Sequence, residues 1–318
     1  MDIEKKIKYI NYNQKYENEV VELWNKCLYF DQITIDVFRQ KAIFDDNFDS
    51  NLCWLALDEE KVIGFIMATK RKFPYLERGL EPDRGWINVM FVDKEYRRQS
   101  IGKTLYLKAE EVLKEKGTKE ITLAMYSPNY FFGGVDEVHY PEAESFFKEM
   151  GYDAKEPHYS MGMDLKDFKL SEKIKLKKVE LENKGYKFTR FNYSRSLEML
   201  DFLKNEFGGG WKRSALLAMR NNLAEELIIM VLDEDDKICG FSMSAIDGNS
   251  ERFGPIGVAE SRRNDGIGSV LLNYSFECMH ERGINRMFFM TTDEPGKRYY
   301  ERNGLEIVRT IRNYRKTV

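Results

Sequence analysis

The segment Ser261-Arg-Arg-Asn-Asp-Gly-Ile-Gly-Ser269 decides the fold, because a related segment, Tyr96-Arg-Arg-Gln-Ser-Ile-Gly-Lys103, occurs earlier in the same chain. Each segment follows an apolar run typical of a strand and leads into an amphipathic run typical of a helix. A tight turn between a strand and a helix exposes backbone N–H groups beside the positive end of the helix dipole. The pattern therefore predicts two anion-binding turns, each suited to a pyrophosphate.

The residues around the two segments repeat as well. Upstream of each segment, two apolar runs are joined by an acidic turn, which predicts a hairpin. Both hairpins carry a Gly-Phe pair at the same place in the second strand, at Gly64-Phe65 and Gly240-Phe241. The predicted helices at residues 105–116 and 270–282 both stop at a glycine, as many helices do. The chain thus contains a duplicated domain.

The length of 318 residues suits two compact domains. We place the first domain at residues 1–165 and the second at residues 186–318. The lysine-rich stretch between them, residues 166–185, is predicted to be a linker that includes a helix.

Composition excludes several function classes. The formal net charge of −3 argues against a nucleic-acid-binding surface, and no apolar run approaches the ~20 residues of a membrane span. The N-terminal residues lack the apolar core of a secretory signal, so we expect a cytoplasmic protein. The four cysteines have no CxxC spacing and the three histidines have no metal-ligand spacing, so we expect buried thiols and no metal site.

A strand, an Arg-x-x-Gly-x-Gly turn and a helix, followed by a Tyr-x-x-x-Gly element, resemble the GNAT N-acetyltransferases. The resemblance covers almost the whole chain, once per half, and this two-domain build is similar to that of mycothiol synthase. It implies an α+β (mixed α/β) fold with two tandem GNAT-like domains, each a mostly antiparallel twisted sheet flanked by helices. It also implies acetyl-CoA (coenzyme A) as cofactor and transfer of an acetyl group to a primary amine of a small molecule.

In that family the amides of the turn hold the pyrophosphate, the preceding strand binds the pantetheine arm, and a tyrosine protonates the departing thiolate. The second half matches the cofactor-binding pattern at Ile256, Gly257, Val258, Arg263, Asn264, Asp265, Gly266, Ile267, Gly268 and Ser269. The corresponding residues of the first half are Met90, Phe91, Val92, Arg97, Arg98, Gln99, Ser100, Ile101, Gly102 and Lys103. Tyr300 falls on the acid of the family, with Tyr299 as its rival on the adjacent helical face.

The first half departs from the pattern at two places. Ser100 replaces the first glycine of the turn, and a left-handed conformation there would cost about 1 kcal/mol or more. Phe147 stands where Tyr300 stands in the second half, and a phenyl ring cannot donate a proton. The first half would therefore bind coenzyme A without catalysing, or use another acid such as Tyr140 or Tyr152.

A general base is needed if the amine binds in its protonated form. We take Glu251 as the candidate, with Asp247 as an alternative and a solvated loop carboxylate as the plain interpretation of either. A second function class also stays open, namely a non-enzymatic acyl-CoA-binding or regulatory protein. The oligomeric state is expected to be a monomer or a homodimer.

Overall fold

The computed structural model describes residues 7–318, which form two compact units. The first unit comprises the chain up to His158 together with Thr310–Val318, and the second comprises Tyr159–Arg309. This division differs from the domains expected from the sequence. The final residues of the stretch 186–318 belong to the first unit, and the stretch 166–185 lies within the second.

The first unit alternates strands and helices in the order expected from the sequence. Its helices are α1 (Glu17–Cys27), α2 (Ile35–Phe38), α3 (Ile101–Glu115) and α4 (Pro141–Glu149). Its strands are β1 (Lys8–Asn11), β2 (Cys53–Asp58), β3 (Lys61–Thr69), β4 (Arg84–Val92), β5 (Glu120–Leu123) and β6 (Val135–Asp136), with parts of β7 (Asp153–Asp164) and β13 (Glu306–Thr317).

The sheet of the first unit has the order β1-β2-β3-β4-β5-β13, with β6 also pairing with β13. Strands β1 to β4 pair in antiparallel fashion, whereas β4 and β5 are parallel. Strand β13 comes from the far end of the chain and pairs with β5, Arg315 lying opposite Thr122. The sheet of this unit is therefore completed by residues that the sequence repeat assigns to the other half.

Alternating side chains of β3 divide the core of the first unit into two clusters, one on each face of the sheet. Phe65 and Met67 pack with α1 and α2 on one face, whereas Ile66 and Ala68 pack with α3 on the other. The sheet is thus flanked by helices on both faces.

The second unit repeats this order. Its helices are α5 (Glu172–Asn183), α6 (Ser196–Phe207), α7 (Gly209–Arg220), α8 (Ala224–Leu227), α9 (Ile267–Glu281) and α10 (Glu294–Glu301). Its strands are β8 (Lys187–Arg190), β9 (Ile228–Leu232), β10 (Ile238–Ser244), β11 (Phe253–Val258) and β12 (Arg286–Thr292). Strands β8 to β11 form an antiparallel sheet, and β12 pairs antiparallel with β7. The prediction of mostly antiparallel sheets flanked by helices is confirmed.

The predicted linker helix and the predicted buried cysteines can be compared with the structure. The lysine-rich stretch predicted to include a helix forms α5, whose Leu181 is fully buried in the core of the second unit. All four cysteines are buried, as expected. Within residues 7–318, no helix combines the length and apolar character of a membrane span.

The assignment of β13 to the sheet of the first unit can be tested at Tyr314, a fully buried residue of β13 in the core of that unit. We expect Tyr314→Ala to lower the free energy of unfolding of the first unit by about 3–5 kcal/mol, because it leaves a large cavity. Hydrogen exchange of the β5 amides measures this. Tyr29→Ala, at a residue that is 59% exposed, is the control and should cost little. Loss of protection in β12 with β5 unchanged would contradict the strand assignment.

Candidate functional site

We call residues 97–103 the first turn and residues 263–269 the second turn. Both have the same backbone conformation. Arg98 and Ser100 have φ of 63° and 61°, and the aligned Asn264 and Gly266 have φ of 75° and 87°. Ser100 and Gly266 are the residues that precede the first turn of α3 and of α9. The left-handed conformation inferred for the family glycine is therefore present in both copies, even where the residue is serine.

The arginine that opens each turn ties it to the end of the preceding strand. Nε of Arg97 donates to the carbonyl of Val92 at 3.1 Å, and Nε of Arg263 donates to that of Val258 at 3.2 Å. Arg97 also forms an ion pair with Glu142 in the first turn of α4. Each arginine thus fixes the turn to its strand.

The strand before each turn parts from its neighbour. In the first unit, β4 pairs with β5 from Arg84 to Ile87, and the next residue, Asn88, is a bulge relative to β3. In the second unit, β11 meets β12 at the bridge between Arg252 and Phe288, and a register shift relative to β10 follows. A bulge bends a strand locally, so each β-strand leaves an open wedge just before its turn.

A cavity of about 610 Å³ occupies the wedge of the first unit. Every residue predicted there lines it except Gln99. The rest of the lining comes from the end of α1, from the residue before the turn and from the region of α4: Cys27, Leu28, Tyr96, Tyr140, Glu142, Ala143, Ser145, Phe146, Phe147 and Glu149. Of these, the sequence singled out Tyr140 as an alternative acid and Phe147 at the position of the acid. Only their pairing across the fold brings these elements to the turn.

The second wedge differs in what fills it. A Cβ atom on Gly257 would lie 2.5 Å from the ring of Phe207 at the end of α6. That ring stacks on Trp211 of α7 at a centroid distance of 4.8 Å. A Cβ atom on Gly266 would lie 2.7 Å from Cε of Lys177 in α5. Glycine at these two positions therefore makes room for neighbouring side chains.

The two tyrosines of α10 have different surroundings. The ring of Tyr300 packs on Phe289 of β12 at 4.4 Å, and burial, with the neighbouring Tyr299, raises its pKa. The Tyr299 hydroxyl lies at the second turn, 3.3 Å from where a Cβ atom on Gly268 would be. Burial raises the pKa of Tyr299 to about 12, although a hydrogen bond with Ser269 opposes the increase. Both phenols therefore keep their protons at neutral pH.

The two alternative acids of the first unit, Tyr140 and Tyr152, lie in different surroundings. Tyr140 lines the cavity and donates to a carboxylate oxygen of Asp31 at 2.7 Å. Tyr152 is buried in the core beside Tyr106, and burial raises its pKa. Phe147 lines the cavity at the place that corresponds to Tyr300.

Glu251 lies directly before the bridge at which β11 and β12 part. Its carbonyl accepts the N–H of Phe288, and its own N–H donates to the side chain of Asn249. This places the residue at the narrow end of the second wedge, opposite the turn. Its part in proton transfer stays a prediction.

Comparison with known proteins agrees with the duplication. Residues 17–131 match the acetyltransferase (GNAT) family, and residues 225–306 match an acetyltransferase (GNAT) domain. The chain belongs to the GNAT acetyltransferase family. The two matches lie one in each half, as the sequence repeat predicts for a tandem GNAT protein.

Among curated relatives, N-alpha-acetyltransferase 30 of Dictyostelium discoideum is 30% identical over 116 residues. The match covers 36% of this chain and 54% of the relative, so the chain spans about half the length of that protein.

Solved GNAT structures resemble nearly the whole chain. The GCN5-related glucosamine N-acetyltransferase region of a fungal multi-domain β-N-acetylglucosaminidase has a TM-score of 0.80 at 18% identity, over 99% of this chain and 38% of that one. A GCN5-related N-acetyltransferase from Sphaerobacter thermophilus has a TM-score of 0.69 at 14% identity, over 98% and 95%. A tandem GNAT protein from the clavulanic acid biosynthesis pathway has a TM-score of 0.65 at 11% identity, over 98% of both chains. These likenesses concern the fold.

The equivalence of the two turns predicts that reciprocal substitutions at Ser100 and Gly266 have opposite effects on the free energy of unfolding. Ser100→Gly should raise the free energy of unfolding by up to about 1 kcal/mol, because a residue with a Cβ atom pays about that much for the left-handed conformation. Gly266→Ser should lower it by about 1 kcal/mol or more, since the new Cβ atom also meets Lys177. Urea denaturation measures both variants. A change of the same sign in both would contradict the equivalence.

Proposed function

We propose that the protein is an acetyl-CoA-dependent N-acetyltransferase that acts on a primary amine of a small molecule. The observation that carries the proposal is the repeated turn, with its two left-handed residues at the start of a 15-residue helix and its tie to a strand that has left its neighbour. Membership of the GNAT family supports the same reaction class.

The residues of the first wedge fit coenzyme A. The cavity of about 610 Å³ is within the range of pockets that bind small ligands and cofactors. The N-terminus of α3 offers backbone N–H groups for a pyrophosphate. Arg98 and Lys103 add positive charge at the same end of the cavity. Residues 98–103 would hold the pyrophosphate, and Met90, Phe91 and Val92 would lie along the pantetheine arm.

We assign catalysis to the second unit because it retains the hydroxyl groups that the first unit lacks. Tyr299 and Tyr300 of α10 correspond to Phe146 and Phe147 of α4. Burial raises the pKa of Tyr300, so its proton is present at neutral pH for transfer to a departing thiolate. The first unit would then bind coenzyme A without turning it over.

Acetyl-CoA supplies the acetyl group as a thioester. As the amine nitrogen gains a bond to the acetyl carbon and the carbon–sulfur bond breaks, the nitrogen loses a proton and the sulfur gains one. Tyr300 delivers the second proton in this proposal. Glu251, directly or through a water, accepts the first. Holding both reactants in line supplies most of the rate enhancement, on the order of 7–11 kcal/mol.

A protein N-terminus is the second candidate acceptor, since the curated relative is an N-alpha-acetyltransferase. A thiol-release assay compares the two classes directly. It uses polyamines, aminoglycosides, amino acids and cysteinyl conjugates on one side and short peptides with free N-termini on the other. Release with small amines alone supports the proposal, whereas release with peptides alone favours the second acceptor. Binding of acetyl-CoA without release in either panel would favour the regulatory alternative.

Replacing a glycine in either turn should remove one binding site. Gly102→Val adds bulk that faces Met90, Val92 and Phe146 at ordinary contact distances, so the fold should persist. Gly268→Val brings a Cβ atom to 3.3 Å from the hydroxyl of Tyr299, so that side chain must shift by a few tenths of an ångström. Isothermal titration with acetyl-CoA should count one site fewer in each variant, and thiol release should be lost only in Gly268→Val. Leu107→Val, exposed on α3, is the control. Two unchanged sites in both folded variants would rule out the turns.

The assignment of the acid predicts a separate effect on turnover. Tyr300→Phe should lower kcat by about 10²–10⁴-fold, the usual contribution of a positioned acid. The affinity for acetyl-CoA should hardly change, because the hydroxyl acts in the transition state. Steady-state kinetics of Tyr300→Phe and of the matched control Tyr299→Phe distinguish the two residues. Full activity in the first and loss in the second would transfer the role to Tyr299.

A further inference from the structure

Helix α5 lies outside both copies of the sequence repeat, yet it contacts the second turn. The side chain of Lys177 lies against Gly266, the residue that precedes the first turn of α9. The carbon that would meet a Cβ atom on Gly266 is Cε, next to the ammonium group. Lys177 thus brings a positive charge to the backbone groups that an anion would contact.

The position of α5 is fixed by its own packing. Leu181 is fully buried in a cluster with Val270 and Leu271 of α9. The ammonium group of Lys178 lies 5.2 Å from the ring centroid of Tyr274, which is also on α9. These contacts hold one side of α5 against α9, so Lys177 is presented to the turn by a rigid element.

Two lysine side chains near the second turn share one carboxylate. Nζ of Lys177 and Nζ of Lys184 both donate to the carboxylate of Glu180, at 2.9 and 2.8 Å. These two hydrogen bonds lower the pKa of Glu180 to about 2, so one carboxylate is shared by two ammonium groups.

Arg262, directly before the turn, and Arg263, its first residue, both have hydrogen-bond partners. Arg262 pairs with Asp233 and Glu234, and Nε of Arg263 donates to the carbonyl of Val258. Asp265 lies near Lys184 and is the opposing charge in the turn itself. The guanidinium of Arg263 keeps its charge, because its partner is a neutral carbonyl, and Lys177 adds a second positive charge beside Gly266.

We propose that Lys177 is a ligand of the pyrophosphate of coenzyme A at the second turn, supplied by the helix between the two repeats. The inference rests on the proposed function, because it takes coenzyme A as the occupant of that turn. The lysine swings from Glu180 to the phosphate oxygens, while Lys184 stays on Glu180 and keeps that carboxylate neutralised. A charged hydrogen bond of this kind strengthens binding by up to about tenfold when partly exposed.

The test measures coenzyme A binding by isothermal titration in full-length chain that carries Gly102→Val, so that the second turn is the site observed. Lys177→Met keeps the apolar stem against Gly266 and removes the charge. We expect it to weaken binding of coenzyme A by about three- to tenfold at low salt, and less at high salt because exposed charges are screened. Dephospho-coenzyme A should lose the same factor, since the pyrophosphate is common to both. Lys175→Met, on an exposed lysine paired with Glu172, is the matched control and should change nothing.

Unchanged or tighter binding in Lys177→Met would overturn the inference, the tighter result meaning that the lysine only covers the turn. A loss seen with coenzyme A but not with dephospho-coenzyme A would overturn the assignment to the pyrophosphate. If wild-type protein binds coenzyme A and the Gly102→Val chain does not, the inference and the assignment of catalysis to the second unit fail, while the proposed reaction stands. If wild-type protein binds none, the inference and the proposed reaction both fail.

Discussion

The left-handed turn at the head of α3 and α9 is the constraint on which the rest of each unit depends. A strand ends, an arginine anchors the chain to the last strand carbonyl, and two residues with positive φ reverse it into a helix. Because the reversal is so short, the helix must start beside the strand end and aim its free N–H groups at the wedge. The bulge therefore opens the wedge between the strands, and the turn closes its other end.

The two turns share this backbone conformation, but the large side chains around them differ. In the first unit, Phe91 projects from the strand and Cys27 ends the facing helix. In the second unit, Gly257 stands on the strand and Phe207 ends the helix, with its ring in the space that the glycine leaves. The large ring therefore comes from the strand in the first unit and from the end of the facing helix in the second.

Much of this architecture could be read from local sequence. The acidic hairpins, the helix-ending glycines and the repeated turn indicated the strand and helix order, and nine of the ten residues predicted for the first site line its cavity. The predicted helices began too late, at 105 and 270 instead of 101 and 267, because Ser100 and Gly266 start the helix within the turn itself. The other lining residues, such as Cys27, Leu28 and Ala143, could not be predicted, since their position depends on contacts between elements distant in sequence. The same reason hides the last strand: nothing in residues 310–318 says that their partner is β5.

That last strand has a consequence for how the protein is made. In a chain that emerges from the ribosome in order, β12 can pair with β7 before residues 310–318 are made. The first unit, although synthesised first, must wait with one edge of β5 unpaired until the final segment arrives. An exposed strand edge can pair with a wrong partner, and this edge stays exposed while residues 124–309 are made. A gene cut at the middle of the repeat would yield two fragments, each missing the strand that closes its sheet.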